Sequence, residues 1–159
     1  MALKFSVCIE MIFRDLPFLD RISAAAEAGY STVEFWSWRN KDMSAVADKL
    51  AEEGVAVAAF LADCGKDLCD PDTYKDWVKG AAESIDQAVA VGATGLIATT
   101  GNELTHIPRD QQHEAVVEGL KAIAPYAEEK NITLSLEPLN VLVDHAGYYL
   151  VTSEQGFQV

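Results

Sequence analysis

The chain has 159 residues, half of them hydrophobic, and a formal net charge of −13. That apolar content excludes a disordered chain and suffices for one domain with a real core, and no stretch approaches the roughly 20 apolar residues of a membrane span. The acidic balance sets phosphate backbones and anionic membranes aside as partners, yet it leaves room for a small anionic substrate where a metal ion neutralises a site locally.

Residues Met1 to Ile9 turn polar too early for a signal peptide, which predicts a soluble, cytoplasmic protein whose fold opens on a strand, β1 near 4–9. Pro17 stands where a first helical residue is expected, and that helix runs out at Gly29. Tyr30 to Trp36 follows as β2. A second helix ends at Gly54 and leads into β3 near 55–61. Asp70 is a candidate N-cap before Pro71. The next helix spans about 71 to 91, with Tyr74, Trp77, Val78, Ala81, Ile85, Ala88 and Val89 on one face. After Gly92 comes β4 near 94–99. Pro108 opens a helix to about 129 whose apolar face is Val116, Val117, Leu120, Ile123, Ala124 and Ala127. Asn131 then leads into β5 near 132–137. Gly and Asn suit the left-handed position just past a helix end. At the far end, Thr152, Ser153, Glu154 and Gln155 form a capping-box pattern that starts a further helix.

Five strands alternating with four full helices predict an α/β fold with a parallel sheet and right-handed crossovers. A doubly wound sheet and part of a barrel both fit the pattern. The loop from Glu10 to Leu16 lacks a glycine-rich phosphate fingerprint, which weighs against nucleotide binding. The three cysteines, Cys8, Cys64 and Cys69, form no C-x-x-C pair and read as reduced thiols, the last two as small loop residues.

Several polar residues fall where α/β folds place their chemistry. Glu137 ends β5, and Pro138 biases it to extended backbone; it reads either as a solvent-facing strand end or as a working carboxylate. Asn140, Asp144, His145, Tyr148 and Tyr149 crowd into the loop behind it, a mixture suited to a polyhydroxylated or carbonyl compound. His145 is placed to hydrogen-bond a substrate oxygen or a loop carbonyl. Glu34 alternates with Val33 and Phe35, which aims it inward from β2, where a buried acid needs a partner: a substrate contact or a structural hydrogen bond. Glu10 ends β1 on the same side. Trp36 and Trp38 are wall or core candidates. Gly101 to Glu103 reads as a plain turn or as part of the mouth lining, and His106 and His113 as surface residues.

The segment Leu136-Glu137-Pro138-Leu139-Asn140, followed by Val143 to Leu150, resembles the hydroxypyruvate isomerase family. So do Phe5 to Phe13 and Val33 to Trp38. The resemblance runs in order along nearly the whole chain, and the β5 block is its most specific part. It implies the N-terminal part, about five βα units, of a (β/α)8 TIM barrel, a single partial domain over 1–159 broken off at the start of the fifth helix. It also implies a divalent metal, Mg or Mn, and an enediolate mechanism in which Glu137 is both proton-abstracting base and metal ligand. Asn140, His145, Glu34, Trp36 and Glu10 are then substrate-side candidates. The remaining ligands and the proton-returning glutamate would come from strands that this chain does not contain. The 159 residues alone are therefore expected to lack appreciable turnover, and the open edges of β1 and β5 to invite a homo-oligomer or a complementing half-barrel. A ketose 3-epimerase and a non-catalytic associating subunit are the alternatives. A DNA-repair nuclease on the related scaffold fits poorly with the acidic surface and three histidines.

Overall fold

A computed structural model describes residues 3–62 and 64–159; Met1 and Ala2, at the head of the opening segment, lie outside the described residues. The elements alternate as expected: β1 (Val7–Cys8), α1 (Phe18–Glu27), β2 (Thr32–Phe35), α2 (Met43–Glu53), β3 (Ala56–Leu61), α3 (Tyr74–Ala90), β4 (Gly95–Ala98), α4 (Arg109–Lys130), β5 (Thr133–Leu136) and the single turn α5 (Ser153–Gly156). All five strands are parallel and lie in the order in which they occur along the chain. A doubly wound sheet would reverse its order partway across. Here each helix packs beside the next, α1 on α2, α2 on α3 and α3 on α4, so the sheet is wound one way and is covered on one face. This is a run of five βα units of a TIM barrel.

Local sequence explains most boundaries. Gly54 (φ 65°) and Asn131 (φ 58°) take the left-handed conformation that ends α2 and α4. The α2 start, unmarked in the sequence reading, is capped by Asp42, whose carboxylate accepts from Ser44 N and Ala45 N at 3.1 Å. The capping box forms as expected, with Gln155 N donating to Thr152 Oγ1 and the Gln155 amide oxygen accepting from Thr152 N.

Other boundaries move. Pro17 and Pro108 sit one position outside their helices, as N-caps. Asp70 does not cap α3. Its carboxylate accepts from Asp72 N, its carbonyl accepts from Thr73 N and Tyr74 N, and Pro71 lies in the resulting turn, so the helix starts at Tyr74. β1 shrinks to two residues because its backbone turns at Cys8, whose carbonyl accepts from Met11 N and Ile12 N.

Side chains alternate across the strands. Val33, Phe35, Val57, Phe60, Leu96 and Ala98 point to the helices and are at most 2% exposed. Phe60 stacks on Phe35 at 5.0 Å, and Phe18 meets Phe35 edge-on at 5.5 Å, geometries that add to the burial of their area. From the helices come Trp77, Ala81, Ile85, Ala88, Val116 and Ile123. Val89, expected on the same stripe, is 50% exposed. Small residues set the spacing: a Cβ on Gly80 would lie 2.6 Å from the Cys64 Cα, so α3 touches the β3–α3 loop backbone to backbone. The opposite, inner face carries Cys8, Glu34, Ala59, Gly95 and Thr133 in one lateral row, then Leu61, Ile97 and Ser135 in the next. Between Val33 and Glu34 the pairing with β3 slips by one residue, leaving Ala58 unmatched. A bulge of this kind bends a strand and redirects its neighbours.

Candidate active site

At the end where the strands finish, the inner face opens into a cleft whose polar groups are Glu34, Thr99, Glu137 and His145, and whose apolar walls are Trp36, Leu61, Ile97 and Leu139. Glu137 is delivered there by its backbone. Its N–H donates to Ala98 O at 3.0 Å, extending the β4–β5 ladder one residue past the strand, and its carbonyl accepts from the Tyr148 hydroxyl at 3.2 Å. Burial pushes the Glu137 carboxyl above its ordinary pKa, the Glu34 carboxylate pushes the same way, and His145 pulls against both. A carboxylate left short of solvation beside another is a stronger base than one in water.

Glu34, Trp36 and His145 are thus brought together with Glu137. Trp36 stays 48% exposed at the rim. His145 stands edge-on to Tyr148 at 6.2 Å. Trp38 goes elsewhere, its indole N–H donating to Ser84 Oγ at 2.9 Å and its ring lying under the Arg39 guanidinium. Glu10 also stays out of the cleft. Its carboxylate is bound by Lys41 Nζ at 2.7 Å and Arg21 Nη1 at 3.3 Å, and Arg21 further donates to the carbonyls of Ile9, Arg14 and Leu16. This network stitches the β1–α1 loop. Asn140 likewise organises its own loop: its side-chain oxygen accepts from Leu142 N and Val143 N, and its amide donates to Asp144.

Gly101 to Glu103 is not a plain turn. Asn102 bridges antiparallel to Tyr148, Tyr149 N donates to Gly101 O, and Glu103 N donates to Gly147 O. The loops after β4 and β5 are therefore zipped together above the sheet. Gln112, buried on α4, holds the base of the first loop by accepting from Leu104 N and donating to the Leu104 and Ile107 carbonyls. Nothing local in the sequence marks Gln112. Leu61, Ile97 and Thr99 are likewise unmarked as cleft floor, because β3 and β4 are too uniformly apolar to show which side faces in. Cys69 is sealed beneath these loops, its thiol donating to Asn102 O and pushed up to about 12 by burial. Cys8 and Cys69 carry free thiols.

Among the described residues, no group of three or more His, Cys, Asp or Glu side chains is arranged to hold a metal ion. A hard divalent cation takes about six oxygens, so Glu137 and its neighbours do not by themselves fit one. None of the described helices is long and apolar enough to cross a membrane.

The family model described as xylose isomerase-like TIM barrel matches residues 22–157. The chain is similar to the 2-oxo-tetronate isomerase of Pectobacterium atrosepticum, 26% identical over 147 residues that cover 88% of this chain and 56% of that protein. It is similar to the hydroxypyruvate isomerase of Escherichia coli, 26% identical over 164 residues that cover 99% and 63%. It therefore spans less than two thirds of the length of these relatives. Among solved structures it superposes on an AP endonuclease, family 2, from Brucella melitensis with a TM-score of 0.84 and 23% identity, covering 98% of this chain and 64% of that one. At that identity the likeness is one of fold. The one-way parallel sheet, the carboxylate at the end of β5 and the match along 22–157 lead to the same place: this chain belongs to the xylose isomerase-like TIM barrel family.

Proposed function

We propose that the protein is an isomerase of a small hydroxy-carbonyl or sugar-like compound, of the hydroxypyruvate isomerase kind. The observation that supports it best is the position of Glu137: a carboxylate made more basic by burial and by Glu34, at the strand end of an inward-facing cleft. In this proposal Glu137 removes the proton from the carbon next to the carbonyl. The bonding pair moves to form the carbon–carbon double bond and the carbonyl oxygen takes up charge, giving an enediolate. Return of that proton to the former carbonyl carbon, with the original hydroxyl's proton passing to the former carbonyl oxygen so that the two oxygens exchange roles, completes the isomerisation. His145 serves a substrate oxygen, Glu34 a hydroxyl, and Trp36 the carbon face. Glu10 and Asn140 shape the flanking loops.

A divalent metal, Mg or Mn, would supply Lewis-acid polarisation of the carbonyl in such chemistry, with Glu137 as its ligand on this sheet. The described residues do not complete that ligand set, so further ligands and the proton-returning acid are assigned to whatever closes the cleft. The outer edges of β1 and β5 are unpaired in the sheet order. A second copy of this chain or a complementing half-barrel is proposed to meet them. Light scattering on the purified chain, with and without Mn, tests this. A discrete species above 17.3 kDa supports pairing, and a monomer removes self-association.

The test of the chemistry is deuterium wash-in. In the catalytically complete form, hydroxypyruvate in D2O should acquire deuterium at the reacting carbon. Glu137→Gln should lose at least about 10²-fold in that exchange, the lower end of what a positioned base contributes. Undiminished wash-in by the variant would remove Glu137 as the base. The 159 residues alone should show no metal-dependent turnover.

A further inference from the structure

We propose that Tyr148 is a positioning residue for Glu137, fixing the base through a hydroxyl that joins the ends of β4 and β5. The inference rests on the isomerase reading of Glu137 and extends it to a second side chain. The Tyr148 hydroxyl accepts from Thr100 N at 2.8 Å and donates to Glu137 O at 3.2 Å. Thr100 is fully buried and Tyr148 is 5% exposed, so the bond from Thr100 N is made away from water and the one to Glu137 O is partly shielded from it. An amide left unpaired there would carry its full desolvation cost.

The arrangement leaves the Glu137 backbone little freedom. Its N–H is held by Ala98 O on one side and its carbonyl by Tyr148 on the other. The next residue is Pro138, which has no N–H and restricts Glu137 to extended backbone. One residue later, Leu139 N donates to Leu150 O. Tyr148 is itself anchored on both sides, by its bridge to Asn102 and by Tyr149 N on Gly101 O. The hydroxyl thus ties the residue carrying the base to the zipped loops, although the phenol never reaches the cleft lining. Reaction rates are sensitive to such placement, where a shift of about 1 Å can cost on the order of 10²-fold.

The test uses Tyr148→Phe, with Tyr126→Phe as control; Tyr126 also loses a hydroxyl hydrogen bond, to Asp86 on the outer surface. In the catalytically complete form, assayed below the thermal midpoint, Tyr148→Phe should lower kcat at least about tenfold and leave KM within about twofold. The control should leave both unchanged. Equal kcat for wild type and Tyr148→Phe overturns the inference, as does a fall matched by Tyr126→Phe. An inactive wild type instead refutes the isomerase reading. In that case the Glu137 carboxyl 13C resonance of the 159-residue chain decides, expected to move in Tyr148→Phe and to stay put in the control. Should the variant not fold, native amide exchange in the wild type decides: Thr100 N–H should exchange as slowly as Leu96 in mid-strand, and exchange as fast as Leu142 at the loop tip overturns the proposal.

Discussion

On the outer face of the sheet Val33, Phe35, Phe60 and Leu96 lie at 0–2% exposure beneath the helices, whereas one residue away on the inner face Trp36 is 48% exposed and Thr133 and Ser135 are open to solvent. The same strands supply both sets. The outer face is finished by the chain's own helices, and its residues are chosen for volume and fit. The inner face holds two carboxylates, an imidazole and an indole around a cleft, and little there is packed tightly enough to contribute to stability. Substitutions on the two faces should therefore be read by different instruments: unfolding for the first, titration and turnover for the second.

The largest effect that can break this comparison is on the outer face. Phe60→Ala removes a fully buried ring stacked on Phe35 and should cost about 3–5 kcal/mol in urea unfolding. Ile97→Ala, its half-buried counterpart across the sheet, should cost less than half as much. Equal losses would mean that the inner face is as tightly packed as the outer. A second measurement sharpens the electrostatic side. The Glu34 charge raises the Glu137 pKa, so Glu34→Gln should lower it, seen in a carboxyl 13C titration of the chain in EDTA. The sign for stability follows. A carboxyl with a raised folded-state pKa binds its proton more tightly folded than unfolded. Its contribution is complete below the unfolded value and is lost as pH rises through the folded one, and Glu34→Gln should reduce that loss. An unmoved Glu137 titration would mean the two carboxylates do not feel each other. The smallest effect belongs to Ser135→Ala on β5, which should change stability by no more than about 0.5 kcal/mol; a larger loss would show that its hydroxyl has an inner-face partner.

How much of this was legible in the sequence depended on distance along the chain. Helix ends at Gly54 and Asn131 and the capping box at Thr152 are set by neighbours within four residues, and they stood out. Glu137 was legible because a strand pattern, a following proline and a family phrase coincide on it. Glu10 was not, because the Lys41 that takes its carboxylate lies 31 positions away and nothing local signals the pair. The loop role of Asn140 was hidden for another reason: an Asn two residues before an exposed apolar tip is as good a turn-former as a ligand. The ladder between 101–103 and 147–149 was invisible, since neither stretch has strand-like composition. In β3 the bulge at Ala58 shifts the alternation by one, so a period-two count assigns half of that strand to the wrong face.

The strand order carries a consequence of another sort. Because β1 through β5 are neighbours in space in the sequence in which they are made, each pairing needs only the single crossover just completed. The entropy of closing such a short loop is modest and is met one step at a time. A chain leaving the ribosome can dock each βα unit on the one already in place, with no early strand waiting for a distant partner, and contact order stays low for so large a parallel sheet. The cost falls on the most recently added strand, whose free edge stands exposed to other nascent chains until the next unit arrives.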